Sequence, residues 1–224
     1  MGKTSAERTG ISTDGEISST DGEGRRDLLL RSALQVLGTS GWHGLTHRAV
    51  EQHAGVPHGS TVYYFGSRDR LVDALVDHIC TADVEDWTAA RADLAATLAR
   101  QEDPTEDLVD LLTRQLVSDR ARLLARYELF LEGARRPDLA RHLTERGLAI
   151  RQFLVPVVTA LGSTNSTADS DLLAALLDGL LLHELVEPPA TAIEERRDLA
   201  SAIARTLRAV IPSQSSEIRP SSPH

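Results

Sequence analysis

The stretch from Leu45 to Leu71, LTHRAVEQHAGVPHGSTVYYFGSRDRL, leaves this chain fewer folding options than any other segment, because it spells two short helices joined by a tight turn. Thr46 is a suitable N-cap, and Leu45 just before it can pack on Val50 as a hydrophobic staple that sets the entry angle of the first helix. That helix runs to His53, and Gly55 supplies the left-handed residue that a sharp stop requires. Val56 fills the inside of the turn. Pro57 suits the first turn of the next helix, where a missing amide hydrogen costs nothing, so the second helix is expected at 57–64. It carries His58, Gly59, Ser60, Thr61, Tyr63 and Tyr64 on too short a segment to bury them all.

A helix meant only for a core places aliphatic residues at three- and four-residue spacing. This one offers hydroxyls and rings, which suit phosphates, base edges and thymine methyls. With Gly41, Leu45-Thr46, Ala54-Gly55-Val56, Tyr63-Tyr64-Phe65 and Ser67-Arg68 in order and spacing, the run from Arg25 to Ile79 resembles the N-terminal DNA-binding domain of the TetR family of bacterial transcriptional regulators. The chain departs from that pattern at Pro57 and Val62, where the family often has a small hydroxylic residue and an aromatic one, so no contact is carried over to those positions.

Position in this head suggests roles. Thr46, His47 and Arg48 are expected to face the DNA backbone; His58, Ser60 and Thr61 to read bases; Gly59 to allow close approach; Tyr63 to meet a thymine methyl or sugar; and Tyr64 and Arg68 to anchor phosphates. Each has a plainer alternative: Thr46 as a cap alone, Tyr63 as core, Arg68 as a solvated helix-start residue.

The net charge of −9 over 224 residues argues at first against nucleic acid, but its distribution matters more than its total. From Arg25 to Cys80 there are six Arg against five acids, a balance of +1, so the rest of the chain carries −10. The candidate head is the least acidic part and holds five of the eight His residues. The single cysteine, Cys80, forbids an intrachain disulfide and fits a reducing cytoplasm. No apolar run approaches the roughly 18 residues of a membrane span, and no signal peptide is expected.

Residues 1–24 are rich in small polar and acidic residues and are expected to form a mobile arm; 213–224, rich in Ser and Pro, are expected to fray. Between them lie the head at 25–80 and a larger helical body at 81–212. Apolar residues follow helical spacing throughout, which predicts an all-α chain of about nine helices. Ser67 caps a fourth helix with a stripe of Leu71, Leu75 and Ile79, continuing past Trp87 as one long helix or two. A later stripe reads Leu123, Tyr127, Phe130, Leu131 and Ala134. Pro137 starts the following helix, in which Pro156 introduces a kink, and a polar loop covers 162–169.

The segment from Leu172 to Leu185 is apolar on nearly every face and therefore needs neighbours on nearly every face. A partner chain is the simplest source. The resemblance implies a homodimer joined through 171–186 and 191–211, with two recognition helices about 34 Å apart reading an inverted-repeat operator. It also implies a body that binds a small-molecule effector and a repressor that the effector releases. Trp87, Tyr127, Phe130, Phe153 and His183 are the body residues that offer aromatic or polar handles for such a ligand.

A chemical role finds little support in the residues. The run from His183 to Glu187 is half a helical zinc site at most, and neither a Gly-rich phosphate loop nor a GxSxG elbow is present. Catalytic residues, metal and cofactor are therefore not expected. A constitutive DNA-bound interaction protein without effector sensing remains the alternative.

Overall fold

The computed structural model describes residues 14–186 and 192–211. Among these residues it forms nine α-helices and no strand: α1 (Asp14–Gly44), α2 (His47–Ala54), α3 (Ser60–Phe65), α4 (Arg68–Ala99), α5 (Thr105–Ser118), α6 (Arg120–Gly133), α7 (Pro137–Ala160), α8 (Ser166–Val186) and α9 (Ala192–Val210). None of the helices is long and apolar enough to cross a membrane.

Local chemistry sets most of these boundaries. The Ser67 hydroxyl accepts the Arg70 amide at the start of α4, and Asp119 does the same for Arg122 at the start of α6. Gly41 adopts φ 70° near the end of α1, which separates the helix proper from a last turn carrying Trp42. The start of α1 corrects one expectation: helix reaches back to Asp14, through part of the arm assigned to 1–24. Once the packed turns from Leu29 onward have met the nucleation cost, adding turns costs little. The expected fraying of 213–224 lies outside the described residues. The helix stop that the pair Pro188-Pro189 leads one to expect after α8 lies outside them too.

Two apolar clusters organise the molecule. Leu29, Leu37, Leu45, Val50, Phe65 and Leu71 fill the head, and Leu108, Leu112, Leu154, Leu173 and Ile203 fill the body. Helix α4 is single and serves both, with Ile79 in the first cluster and Trp87 and Leu94 in the second. The expected boundary at residue 80 thus falls inside one continuous helix.

Helix α6 also joins the two parts. Ala125 and Leu129 belong to the head cluster, and Leu123 belongs to the body cluster. Phe130 and Leu131, expected in the buried stripe of α6, are 41% and 59% exposed. The helix is rotated so that Arg126 and Leu129 point inward, because the arginine finds a buried carboxylate partner in Asp83.

The backbones of α1 and α6 touch. A Cβ added to Gly38 would lie 2.3 Å from the Ala121 carbonyl oxygen, which cannot yield as a side chain does. Gly38→Ala should therefore destabilise the protein by about 1–3 kcal/mol in urea unfolding, whereas Gly24→Ala, with open space at its Cβ, should stabilise α1 by up to about 1 kcal/mol. Equal effects at the two glycines would contradict the close approach.

Candidate nucleic-acid interface and interior cavity

The helix-turn-helix is built from its caps. Thr46 Oγ1 accepts the Ala49 amide at 3.1 Å, and Gly55, at φ 64°, closes α2 with its amide on the Gln52 carbonyl. The next helix does not begin at Pro57. Pro57 to Gly59 form a turn, with the Ser60 amide and hydroxyl both donating to the Pro57 carbonyl at 3.2 and 2.6 Å. Gly59 stands at φ 89°, a left-handed conformation that a right-handed helix cannot contain, so α3 starts at Ser60.

Glu51 holds the turn together, although its role was not anticipated from the sequence. Its side chain is almost wholly buried; Oε1 accepts the Thr61 amide at 2.9 Å, and Oε2 lies 2.9 Å from His58 Nδ1. Burial alone would raise its carboxyl, but His58 and the amides of Thr61 and Gly59 outweigh that and hold it below its ordinary value. The physical signal is general: a carboxylate on the inner face of α2, opposite the free amides at the start of α3, meets an unsatisfied set of donors.

Around this scaffold the expected contact residues separate into two groups. Thr46, Arg48, His58 and Tyr63 are exposed, and Gly59 and Ser60 are partly so. Tyr63 is 82% exposed and stands edge-on to Tyr64, which is half-buried against the head core. His47 is half-buried, and its carbonyl faces the Thr61 hydroxyl at 3.5 Å.

Two expectations need correcting. Thr61 is fully buried and cannot read a base, because the Glu51 contact turns that side of α3 toward α2. Arg68 is committed within the head: Nε donates to the Leu45 carbonyl at 2.9 Å, Nη2 donates to the Trp42 carbonyl at 2.8 Å, and the guanidinium lies 4.2 Å over the Trp42 ring. It ties the start of α4 to the end of α1, which leaves little of it for a phosphate.

A half-open cavity of about 340 Å³ lies between α4, α5, α6, α7 and α8. Of the residues expected to offer handles to a ligand, Trp87 and Phe130 line it. Phe153 lies in a neighbouring groove between α4 and α7, edge-on to Trp87. Tyr127 lines neither space; its hydroxyl donates to the Asp178 carbonyl at 2.7 Å. His183 is also in neither, being exposed on α8, where helical phase points it away from the buried Leu181 and Leu185.

The polar groups of the wall come from residues distant in sequence. Arg126 donates Nη1 to Asp83 at 3.1 Å and Nη2 to Asp178 at 3.3 Å, while Arg122 Nε lies 3.3 Å from the second oxygen of Asp83. Burial and the nearby Asp83 push the Asp178 carboxyl up, against the pull of Arg126. Burial and Asp83 also push the Cys80 thiol up to about 11, so it stays protonated and poorly nucleophilic. No group of three or more His, Cys, Asp or Glu arranged to hold a metal occurs among the described residues.

Comparison with known proteins follows the same two-part division. Residues 29–75 match the family model described as bacterial regulatory proteins, tetR family, and residues 99–213 match that of the tetracyclin repressor-like C-terminal domain. No curated protein matches the chain. Among solved structures, the multidrug binding protein EbrR complexed with imidazole is 30% identical, covering 80% of this chain and 94% of its own, with a TM-score of 0.56. EbrR complexed with ethidium is 27% identical over 81% and 97%, with a TM-score of 0.61. A TetR-family member, SCO1917 from Streptomyces coelicolor A3, is 29% identical over 80% and 98%, with a TM-score of 0.58.

Proposed function

The chain belongs to the TetR family of bacterial regulatory proteins, and from that premise we propose that it is a homodimeric repressor, released from an inverted-repeat operator by a small-molecule effector. The observation that carries the DNA-binding half is the outward face of α3 and its preceding turn. Tyr63, His58 and Ser60 project there beside Arg48 and Thr46, while Glu51, Thr61 and Phe65 fix the helix from behind. Tyr64 and the half-buried His47 flank the same surface.

The dimer is supported by α8. Leu173, Leu177, Leu181 and Leu185 are buried within the subunit, but Leu172, Leu176, Leu182 and Val186 are exposed, with 72% of Val186 open to solvent. A single stripe of this kind on a helix already covered on its other side calls for a partner surface. A twofold mate packed there, with α9 alongside, supplies it and sets two heads on successive major grooves.

An effector has the cavity as its natural place, and EbrR is described as a multidrug binding protein complexed with ethidium. Cavity residues Arg126, Leu129 and Phe130 lie on α6, whose neighbouring residue Glu128 accepts the Trp42 amide of α1 at 2.9 Å. A ligand that prefers one setting of α6 therefore also prefers one setting of the head.

Selection of bound sequences from a random DNA pool tests the proposal. An inverted repeat is expected; a single half-site or no enrichment would contradict it. On the selected operator, Tyr63→Ala should cost about 1–3 kcal/mol of binding free energy and relax preference at the base pairs it meets, while Thr61→Ser should leave that preference unchanged.

A further inference from the structure

We propose that the cavity is built for an uncharged, largely apolar ligand that carries a carbonyl-type oxygen acceptor, and not for an organic cation. This inference rests on the effector-responsive function proposed above and specifies its chemistry.

The charges on the wall cancel. Among the described residues that line it, Asp83, Asp178, Arg126 and Arg151 carry charge, two of each sign. They are also occupied with one another or with neighbours. Asp83 gives one oxygen to Arg122 and the other to Arg126, Asp178 meets Arg126, and Arg151 lies 3.8 Å from Asp171. A cation entering this space would find no carboxylate without a guanidinium already beside it, and would add a charge that no free carboxylate offsets.

The hydrogen-bonding capacity does not cancel. Gln115 is 4% exposed, and both its amide atoms lack a partner; the Trp87 indole N–H and the Arg126 Nε–H are equally without one. All three residues line the cavity. Three donor groups thus face one acceptor, whichever way the Gln115 amide is turned. Buried donors without partners destabilise a free protein; these atoms have almost no accessible surface in the free protein, and an acceptor oxygen on a ligand would satisfy one of them once its side chain turns toward the cavity. The rest of the wall, including Leu112, Leu129, Leu154 and Leu177, is apolar, and the volume of about 340 Å³ admits a compact polycyclic molecule.

Three tricyclic probes of similar outline separate the alternatives on the full-length protein: acridone, which is neutral with one carbonyl; anthracene, which lacks the acceptor; and proflavin, which is a cation. Acridone is expected to bind at least about tenfold tighter than either of the others, the equivalent of one good hydrogen bond, and to release the protein from its selected operator. Gln115→Leu should reduce acridone to the level of anthracene without changing anthracene itself. Because that substitution removes an unpaired buried amide, it should also raise the Tm of the ligand-free protein by about 2–4 °C. Trp87→Phe, which keeps the ring and deletes the N–H, should act in the same direction on both readouts.

Tighter binding of proflavin than of acridone, with release from DNA, would overturn the inference and leave the effector-responsive function standing. A fall in the ligand-free Tm for both variants would also overturn it, since it would mean that these groups already have partners in the free protein. If no probe binds and none affects the operator complex, the inference and the effector-responsive function fall together.

Discussion

Asp83→Ala should destabilise the protein by about 3–5 kcal/mol, the cost of breaking a buried ion pair from one side. Asp83 is 2% exposed and bridges two guanidiniums, Arg122 and Arg126, which hold α6 against α4. Removing its carboxylate leaves Arg126, itself 9% exposed, with Asp178 at 3.3 Å as its remaining carboxylate partner. Arg122 is less affected because Asp86 and Asp119 remain beside it. In a chain of this size the loss corresponds to a fall in Tm of roughly 6–20 °C, measured at fixed protein concentration. The double replacement Asp83→Leu with Arg126→Met should lose much less than the sum of the single changes, since no unpaired charge is left behind. Additive losses would mean that the two side chains do not interact.

The second large effect is expected at Glu51. Glu51→Ala should destabilise the head by about 1.5–3 kcal/mol, the range for a hydrogen bond to a charged group, and should weaken operator binding more than its distance from the exposed face suggests. The carboxylate is what aligns α3, by accepting the Thr61 amide and meeting His58. Its pH dependence has a definite sign. The folded carboxyl titrates below its ordinary value of 4.5, so its stabilisation is complete above that pH and disappears as the pH falls through the folded value. Urea unfolding of Glu51→Gln should lack this component of acid loss. A wild-type chain and a Glu51→Gln chain with the same acid profile would show that the carboxylate does not fix the turn.

How far these features could be read from the sequence depends on the range of the interaction. Caps at Thr46 and Ser67 and the stop at Gly55 are made by residues within four positions of their partners, so residue type and spacing were enough. Helical periodicity likewise carried the all-α fold and the leucine-rich α8, but left open whether α4 is one helix or two. The face that a short helix presents is a different matter. Whether Thr61 or Tyr63 points outward depends on Glu51 reaching across from another helix, and the left-handed Gly59 shortened α3 in a way that Pro57 did not suggest.

Arg68 illustrates the same limit. An arginine just after a capping serine suits a phosphate, but the carbonyls that hold it lie 23 and 26 residues earlier. The cavity was the least legible part. Its polar centre joins Arg126 to residues 43 and 52 positions away, and the handle expected at Tyr127 falls one residue too late because Arg126, not Tyr127, lines the space.

Chemical footprinting of the full-length protein on its selected operator tests the central claim most directly. Two protected major-groove segments on one face of the duplex, related by a twofold axis and about one helical turn apart or a multiple of it, are predicted, and both should weaken together in Tyr63→Ala. A single protected segment, or protection spread evenly along the duplex, would contradict a dimer that presents α3 twice at the pitch of DNA.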